Sequence, residues 1–482
     1  MAYIIKIRSH KFDMKSITVE PVMFLYMFTV FLSNLTFQAL VYDKVCKEHY
    51  NSTICSQLGN ITYKEEEDVV QKETSTWLLY NNLAMGLPSL FSVVLFLGPW
   101  GDTVNRKIPV ICPLVGSFLV SVSNMINSVY MDAPLVYLLF GQFLNGLLGG
   151  FIAALMSMYS YIAYVSSPSY RTIKIGILEG MIFLSATVGT AISGVILDKT
   201  SYVFVFSFLA GLMMLALIYT IVWVDSIPSE QTLDANSDRK SSCRSLFLDT
   251  IKDAFMCVYQ SRRNENFLNL ALAIFIIFIL MLVSIGEIDI LLIYTRNRPF
   301  NWSQTTLGLY DGLESFLRGI AVLTFLPLLK RKFGVRDTMI LVVGLVSKTA
   351  SLIVLGLGRS TVVLFIGATS GVLQGFSSAG IRSMTSGMVS SNEQAKLFSL
   401  IGMFESVSTL AATSLFNTVY TATIDFYPGF CFLMAAVLSG ICIFIACILH
   451  IKVSKNTAGN YDTLQNETVQ DVPVGTDNEV QS

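Results

Sequence analysis

The chain has 482 residues, of which 53% are hydrophobic and only 13% are charged, and its mean hydropathy is +0.62. Soluble domains carry about 25% charged residues, so this composition excludes an ordinary soluble protein and indicates a polytopic membrane protein. The formal net charge of −1 gives no indication of a nucleic-acid partner.

Apolar runs of about 20 residues are long enough to cross the hydrocarbon core of a bilayer as helices. The sequence therefore predicts an all-α membrane protein with twelve transmembrane helices. The first run follows a polar, basic segment and is too long for a signal-peptide core, so it is interpreted as an uncleaved span. The predicted spans lie near 21–43, 77–100, 108–129, 134–164, 173–197, 202–224, 267–294, 306–329, 337–357, 361–383, 397–420 and 428–450.

One long polar segment, residues 225–266, divides the predicted spans into six plus six. An N-terminal bundle at 21–224 and a C-terminal bundle at 267–450 are predicted on either side of this linker. Residues 1–20 and 451–482 are predicted to be cytosolic, and the second of these segments is expected to be a disordered tail. Two six-helix halves joined by a cytosolic linker are typical of the major facilitator fold.

The distribution of basic residues predicts which side of the membrane each loop faces. Most of the 32 Lys and Arg residues fall in segments on the side of the two termini, which places both termini in the cytosol. The outer face then carries the long 44–76 loop, in which Cys46 and Cys55 are candidates for a disulfide. N-glycosylation sequons occur in the predicted outer loops at Asn51, Asn60 and Asn301.

The loop after the second span, GPWGDTVNRK at 98–107, resembles the gating loop of major facilitator transporters, and LLKRKFGVRD at 328–337 echoes it in the second half. The residues that match the motif are Gly98, Asp102, Arg106 and Lys107. Asn105 replaces the usual glycine, and Asn tolerates a left-handed backbone better than most residues. In the functional interpretation Asp102 lies near a helix N-terminus and Arg106 reaches carboxylates across the inner mouth. The alternative is a basic cytosolic loop with an incidental aspartate.

Several segments resemble solute carrier family 46, the family of the proton-coupled folate transporter and its lysosomal relatives. They are VEPVMFL at 19–25, SYIAYVSSPSYRTIKIGILEG at 160–180, IRSMTSGMVSSNEQAKLFS at 381–399 and TSLFNTVYTATIDFYPGFCFL at 413–433. The last two are most similar to the lysosomal third member. The resemblance covers nearly the whole chain outside the linker and the tail, and it implies a transporter of organic anions that is coupled to protons.

The resemblance also assigns roles to individual residues by their positions. Glu179 matches a carboxylate tied to proton coupling, and Arg382 matches an arginine implicated in substrate and proton binding. Asp289 matches an acidic position of the folate carrier. Ser284 stands where that carrier has a coupling histidine, and Tyr164 replaces an aspartate. These departures argue against folate itself as the substrate and do not affect the transporter class.

Three charges of LYDGLESFLRG, residues 309–319, lie within the eighth predicted span. Asp311, Glu314 and Arg318 follow an i, i+3, i+7 pattern, so they project from one helix face. A charge at the centre of a span costs roughly 2.5–3.5 kcal/mol, which favours functional or paired charges. We expect a cavity-facing stripe for coupling or substrate contact; the alternatives are an ion network that only packs helices and an outer-end stripe among headgroups. Lys348, in the ninth span, is interpreted as peripheral and snorkelling.

Other ionisable residues lie in the seventh, tenth and eleventh predicted spans. Glu287 and Asp289 are two residues apart, so a straight helix turns them to different sides, and both reach one cavity only if the helix is irregular at Gly286. Arg382 is expected either to extend to the cytosolic interface or to bind an anionic substrate, with Glu405 as its counter-charge. We expect the intramembrane charges to converge on a water-accessible chamber between the two halves.

No histidine lies well inside a span, so proton coupling is expected to depend on carboxylates. The leading hypothesis is a secondary active transporter that carries a bulky organic anion with protons toward the cytosol by alternating access. Folate-, steroid-conjugate- or muropeptide-like substrates are implied by the resemblance alone. The alternative is a major-facilitator-like receptor or scaffold that does not transport. An enzyme is not supported, because the sequence has no P-loop, nucleophile elbow, catalytic cluster, or metal-ligand or cofactor motif.

The tail contains the segment GNYDTLQ, in which the residues from Tyr461 to Leu464 resemble a tyrosine-based sorting signal. Clathrin adaptor proteins read such signals and direct the cargo to endosomes and lysosomes, so an adaptor is a candidate partner. The lysosomal membrane is therefore the favoured location, and the plasma membrane is the second.

Overall fold

The structure is a computed structural model, and it describes residues 17–55, 63–97, 105–167, 170–227, 266–296, 300, 302, 304–389, 394–423 and 426–470. The helices of the first half are α1 (Glu20–His49), α2 (Ser52–Cys55), α3 (Lys64–Ser92), α4 (Ile108–Val129), α5 (Val136–Leu147), α6 (Gly150–Val165), α7 (Arg171–Lys199) and α8 (Tyr202–Trp223). Those of the second half are α9 (Asn266–Arg296), α10 (Gln304–Phe333), α11 (Asp337–Leu357), α12 (Thr361–Ser370), α13 (Gly375–Gly387), α14 (Gln394–Thr423) and α15 (Phe430–Gln470).

Within these described ranges, eleven helical segments are long and apolar enough to cross a membrane. They correspond to eleven of the twelve predicted spans. The remaining prediction, at 77–100, corresponds to the end of α3 and to the π-helical turn Val93–Leu97 that follows it. α3 ends at Ser92, so the apolar residues Val93–Leu97 do not contribute to its hydropathy, and this helix falls outside the group of eleven.

The fourth and tenth predicted spans are each built from two helices rather than one. The break between α5 and α6 falls at Gly149 and Gly150, whose φ angles of +97° and +56° lie in the left-handed region that favours glycine. The break between α12 and α13 falls at residues 371–374. Each break belongs to the fourth span of its half, as expected when the two halves are related by a structural repeat.

The predicted 44–76 loop is largely helical in its described residues, which corrects the sequence-based expectation. α1 continues to His49, and α3 already begins at Lys64. The KEEED sequence explains the early start of α3, because Glu and Lys are good helix formers and acidic side chains interact favourably with a helix N-terminus. Cys46 and Cys55 form a disulfide in this region, with their Cα atoms 5.9 Å apart.

The last helix is longer than its predicted span. α15 extends to Gln470, so residues 451–470 are helical, although the sequence predicted disorder from residue 451 onward. No proline interrupts the chain before Pro473, so the helix meets no steric break in this segment. Residues 471–482 and most of the predicted linker lie outside the described residues.

The two halves meet where α7 contacts α10 and where α6 contacts α14. Successive spans alternate in direction, so α7 and α14 begin, and α6 and α10 end, on the side of the two termini, which is called the inner side here. Close contacts between the halves lie toward this inner side. Gly180 packs so closely against Leu323 that a Cβ atom would require the leucine side chain to shift, and Ser399 Oγ lies 2.9 Å from Met156 Sδ.

Candidate functional site

Three charged side chains form an ion triad that joins the two halves, called the inter-half triad. Glu179 on α7 belongs to the first half, whereas Arg382 on α13 and Glu405 on α14 belong to the second. Arg382 Nη1 donates to Glu179 Oε1 at 2.8 Å, and Arg382 Nη2 donates to Glu405 Oε1 at 2.6 Å. The predicted pairing of Arg382 with Glu405 is confirmed. One guanidinium therefore connects carboxylates from both halves instead of extending to the cytosolic interface.

Polar and aromatic side chains surround the inter-half triad. Tyr159 on α6 donates its hydroxyl to Glu179 Oε1 at 2.7 Å, and Ser378 Oγ donates to the same oxygen at 2.5 Å. The guanidinium carbon of Arg382 lies 4.6 Å from the centre of the Tyr159 ring, which is a cation–π contact. Glu179 Oε1 thus accepts three hydrogen bonds, and these hold the carboxylate in a fixed position.

The inter-half triad is nearly sealed from water in this structure. Glu179, Arg382 and Glu405 are 4%, 5% and 7% exposed, whereas the sequence-based expectation was a water-accessible chamber. Opposite charges with satisfied hydrogen bonds tolerate burial together, while removal of one partner costs about 3–5 kcal/mol. Pairing across the halves therefore explains how these charges are accommodated. Little of their surface is open to a ligand in this conformation.

A second group of charges lies within the second half. Lys348 on α11 pairs with Glu287 on α9, and Arg318 pairs with Glu314, one turn away on α10, as the sequence predicted. Gln374, at the break before α13, donates to Glu314 Oε1 at 3.3 Å. The group is called the C-half cluster, and it comprises Glu287, Asp311, Glu314, Arg318, Lys348 and Gln374.

Lys348 is buried, which corrects its interpretation as a peripheral, snorkelling residue. Its side chain is 5% exposed and the paired Glu287 side chain is 6% exposed. An unpaired carboxylate at this depth would be strongly unfavourable, so Glu287 requires a cation beside it. The two residues are 61 positions apart in sequence. The available signal was a lone base in one span and two acids, Glu287 and Asp289, in another.

α9 continues as a helix through Gly286, so Glu287 and Asp289 face different neighbours. Glu287 belongs to the C-half cluster, whereas Asp289 Oδ2 accepts a hydrogen bond from Thr413 Oγ1 of α14 at 2.8 Å. Ser284 is partly exposed, one turn before Glu287. The straight-helix alternative is therefore the one observed, and Asp289 lies outside both charge groups.

The described part of the gating loop holds Arg106 against the first half. The guanidinium carbon of Arg106 lies 4.1 Å from the centre of the Tyr164 ring, and Arg106 Nη1 lies 3.4 Å from Ser160 Oγ. Lys107 Nζ donates to the carbonyl oxygen of Ile221 at 2.7 Å. Tyr164 thus offers Arg106 the face of its ring, which attracts a cation.

A polar contact at the inner side also joins the two halves, and it is called the inner latch. Asp337, the first residue of α11, accepts hydrogen bonds from Thr172 Oγ1 at 2.6 Å and from Ser383 Oγ at 3.0 Å. Its carboxylate lies 2.5 Å from Lys330 Nζ. Thr172 comes from the first half and the other members come from the second. Asp337 was not among the predicted site residues, although it ends the segment that echoes the gating loop.

Several predicted site residues lie outside the described residues, and for others only the backbone or the exposure is described. Asn51 is exposed immediately before α2. Tyr461 and Leu464 lie in the helical backbone of α15. The predicted site residues outside the described ranges are Gly98, Asp102, Asn60 and Asn301. The clamp of the gating loop, glycosylation and the sorting signal therefore stay predictions.

Two bundles of membrane-spanning helices with buried charges at their contact define the class of this protein, which is a major facilitator transporter. The family model of the Major Facilitator Superfamily matches residues 22–295, more than half of the chain, and the chain belongs to this superfamily. The fold is shared with the crystal structure of the human organic anion transporter MFSD10 (TETRAN). That comparison has a TM-score of 0.67 at 14% identity and covers 89% of this chain and 98% of the other.

Within the superfamily, the chain is similar to two proteins of the family that its sequence resembles, solute carrier family 46. The proton-coupled folate transporter of Bos taurus is 29% identical over 436 residues, which cover 89% of this chain and 90% of that protein. The lysosomal proton-coupled steroid conjugate and bile acid symporter SLC46A3 of Homo sapiens is 25% identical over 471 residues, which cover 95% of this chain and 99% of that protein. The all-α major facilitator fold is confirmed, and the protein is a transporter rather than an enzyme.

Proposed function

We propose that the protein is a proton-coupled symporter that carries a bulky organic anion toward the cytosol by alternating access. The observation that carries this proposal is the inter-half triad, in which one buried arginine holds carboxylates from both halves. Alternating access requires contacts between the halves to form and break in each cycle. A proton or an anion can interrupt this charged contact. Binding of the proton and the anion is therefore coupled to the movement of the halves.

The charges of the inter-half triad explain how the proton and the anion are linked. With all groups ionised, two carboxylates face one guanidinium, and the net charge is −1. A proton taken up by Glu179 or Glu405 neutralises the triad and frees one edge of the Arg382 guanidinium. The anionic group of a substrate then binds Arg382 with two parallel hydrogen bonds. Loss of the proton at the inner side restores the competing carboxylate and releases the anion.

The closed inner side supports the order of these steps. The halves contact each other at the inner latch, and the triad is buried close to these contacts. Substrate that arrives from the outer side therefore meets a closed inner side. In the proposed cycle, the inner latch and the gating-loop residues Asp102, Arg106 and Lys107 control when that side opens.

The names of the relatives support protons as the coupling ion and organic anions as the class of substrate. They are named as a proton-coupled folate transporter and as a lysosomal proton-coupled symporter of steroid conjugates and bile acids. Folates, steroid conjugates and bile acids are bulky organic acids. The Tyr461–Leu464 signal and its clathrin adaptor fit a lysosomal location. An acidic lumen would then drive protons and substrate toward the cytosol, with glycans at Asn51, Asn60 and Asn301 on the luminal side.

The test is uptake of labelled steroid sulfates, folates and muropeptides by cells that express the Tyr461→Ala form, which is expected at the cell surface. Uptake should be higher at acidic than at neutral external pH. Arg382→Gln should abolish it, and Glu405→Gln should leave a low uptake with a weaker pH dependence. Arg359→Gln is the matched control, because Arg359 is exposed in the connection between α11 and α12. Normal acid-stimulated uptake in both triad variants would refute the proposal.

The alternative function, a receptor or scaffold that does not transport, makes the opposite prediction. A receptor would bind its ligand without acid-stimulated accumulation in the cell. It would also have no need for a charged contact that breaks during a cycle. Binding of a labelled anion that never becomes protected from an external wash would favour the receptor.

A further inference from the structure

We infer that the C-half cluster is a second substrate subsite, which binds an acidic group at the far end of an elongated substrate while Arg382 binds the first. This inference rests on the proposed function and narrows its substrate class. The substrate would carry an acidic group at each end. It would lie between two arginines, each of which is held by a carboxylate in the absence of ligand.

Two hydrogen-bond donors near Glu314 have no acceptor among the described residues. The hydroxyl of Tyr310 is unpartnered although the residue is 0% exposed, and Nε of Arg318 is unpartnered although the same guanidinium pairs with Glu314. Buried tyrosine hydroxyls usually have a hydrogen-bond partner. Nε of Arg318 can only donate, and the Tyr310 hydroxyl can donate as well as accept. One acceptor, such as a carboxylate or a sulfate oxygen, would satisfy both groups.

Tyr310 is held rigidly at this position by other aromatic side chains. The centre of its ring lies 5.4 Å from that of Trp302 and 5.5 Å from that of Phe365. Tyr310 and Glu314 are four residues apart on α10, so they share one face of the helix. The unpartnered hydroxyl therefore belongs to the same helix face as the ion pair of Glu314 and Arg318.

One face of α13 connects the C-half cluster to the inter-half triad. Gln374, Ser378 and Arg382 follow one another at intervals of four residues, so they form a single stripe. Gln374 contacts Glu314 in the cluster, whereas Ser378 and Arg382 contact Glu179 in the triad. Eight residues of helix span about 12 Å. This length sets the approximate separation of the two acidic groups on the substrate.

The charge balance of the C-half cluster requires the second acidic group to enter together with a proton. The cluster holds the three carboxylates Glu287, Asp311 and Glu314 but only the two bases Arg318 and Lys348. When all are ionised, it has one carboxylate in excess. A proton on Glu314, the carboxylate that pairs with Arg318, removes this excess and leaves Arg318 free to bind the incoming group. Asp311 is exposed and the Arg318 side chain is 17% exposed, so the ligand approaches from their side.

The test compares two rigid probes, a biphenyl with a carboxylate at each end and the same biphenyl with a single carboxylate. The full-length protein is purified in detergent at acidic pH, and the shift of its melting temperature with probe concentration gives each affinity. The diacid should bind roughly tenfold more tightly than the monoacid. In Arg318→Gln this preference should disappear, and in Tyr310→Phe, which keeps the ring contacts, it should fall severalfold. Arg359→Gln should keep the full preference.

The outcomes separate this inference from the proposed function. Equal affinities for the diacid and the monoacid in the unmodified protein would overturn the inference and leave the proposed function standing. A full preference for the diacid in Tyr310→Phe and in Arg318→Gln would overturn it as well. If neither probe binds, the proposed anion site is wrong and the inference fails with it. Should Arg318→Gln not fold, Tyr310→Phe decides alone.

Discussion

The inter-half triad and the C-half cluster contain the same kinds of residue but differ in what they connect. Glu179 and Glu287 are 4% and 5% exposed, and each is paired with a buried base. Glu179 reaches across to Arg382 in the other half, whereas Glu287 pairs with Lys348 in its own half. In the proposed transport cycle, the first contact breaks when the halves move, whereas the second lies within one half.

Burial and pairing alone therefore do not distinguish a contact within one half from a contact between the halves. A buried ion pair within one rigid bundle can serve only to place two charges in the membrane. The same pair between two moving bundles depends on the position of both bundles.

Arg382→Gln should have the largest effect, because it leaves Glu179 and Glu405 without a cation. We expect the free energy of unfolding to fall by about 3–5 kcal/mol. Denaturation of the purified protein in mixed micelles measures this loss.

The control for Arg382→Gln is the double variant in which Glu405→Gln is added. It removes one of the stranded carboxylates, so it should be more stable than Arg382→Gln alone. If the loss of stability in the double variant equals the sum of the losses in the two single variants, Arg382 and Glu405 are not coupled and the triad is not one unit.

Lys348→Met should reduce the stability by about 3 kcal/mol, because Glu287 is then buried without its partner. It should leave the distance between the halves unchanged. Spin labels at Asp132 and Arg359, exposed positions in different halves, measure that distance. Arg382→Gln, in contrast, should broaden or shift it.

The second change Glu287→Leu should restore much of the stability lost in Lys348→Met, because apolar replacements of a buried pair are often neutral. A shift of the label distance in Lys348→Met would mean that the C-half cluster also controls the halves. The comparison between the two charge groups would then be wrong.

The sequence predicted those features that depend on a local pattern of residues or on resemblance to a known family. Apolar runs predicted the helical class and the two halves, because a membrane span needs a continuous apolar segment. The pairing of Glu314 with Arg318 followed from their spacing on one helix. The pairing of Arg382 with Glu405 followed from the need of a lone intramembrane base for an acid nearby.

Features that depend on distant neighbours were not predicted. The spacing of residues along α11 could not show that Lys348 faces Glu287, because their contact depends on how α9 and α11 pack. Asp337 looked like an ordinary loop residue until Thr172 of the other half was placed beside it. The breaks at Gly149 and before Gly375 lie inside apolar runs, where hydropathy cannot distinguish one helix from two.

A smaller effect is expected for Thr172→Val at the inner latch. The change removes the hydroxyl that donates to Asp337, and hydrogen bonds to charged groups contribute about 1.5–3 kcal/mol. Because Thr172 is the member of the latch from the first half, its loss should favour opening of the inner side. Spin labels at Tyr170 and Phe333, exposed near the inner ends of α7 and α10, should show a larger mean distance.

The matched control for Thr172→Val is Thr349→Val. The Thr349 hydroxyl donates to Ser439 at 2.8 Å, and both residues belong to the second half. This change should reduce stability without altering the distance between the labels. An equal shift in both variants would show that lost stability, rather than a lost latch, opens the inner side.

The smallest effect is expected at Tyr164, where an aromatic ring stands in place of the family's aspartate. Tyr164→Phe keeps the ring face over Arg106 and should change the stability by less than about 0.5 kcal/mol. Tyr164→Ala removes the cation–π contact and should cost about 0.5–2 kcal/mol. Melting temperatures of the purified variants distinguish the two. If Phe were as harmful as Ala, the hydroxyl and not the ring face would hold Arg106, and the aspartate of the family would have been replaced by a hydrogen bond instead.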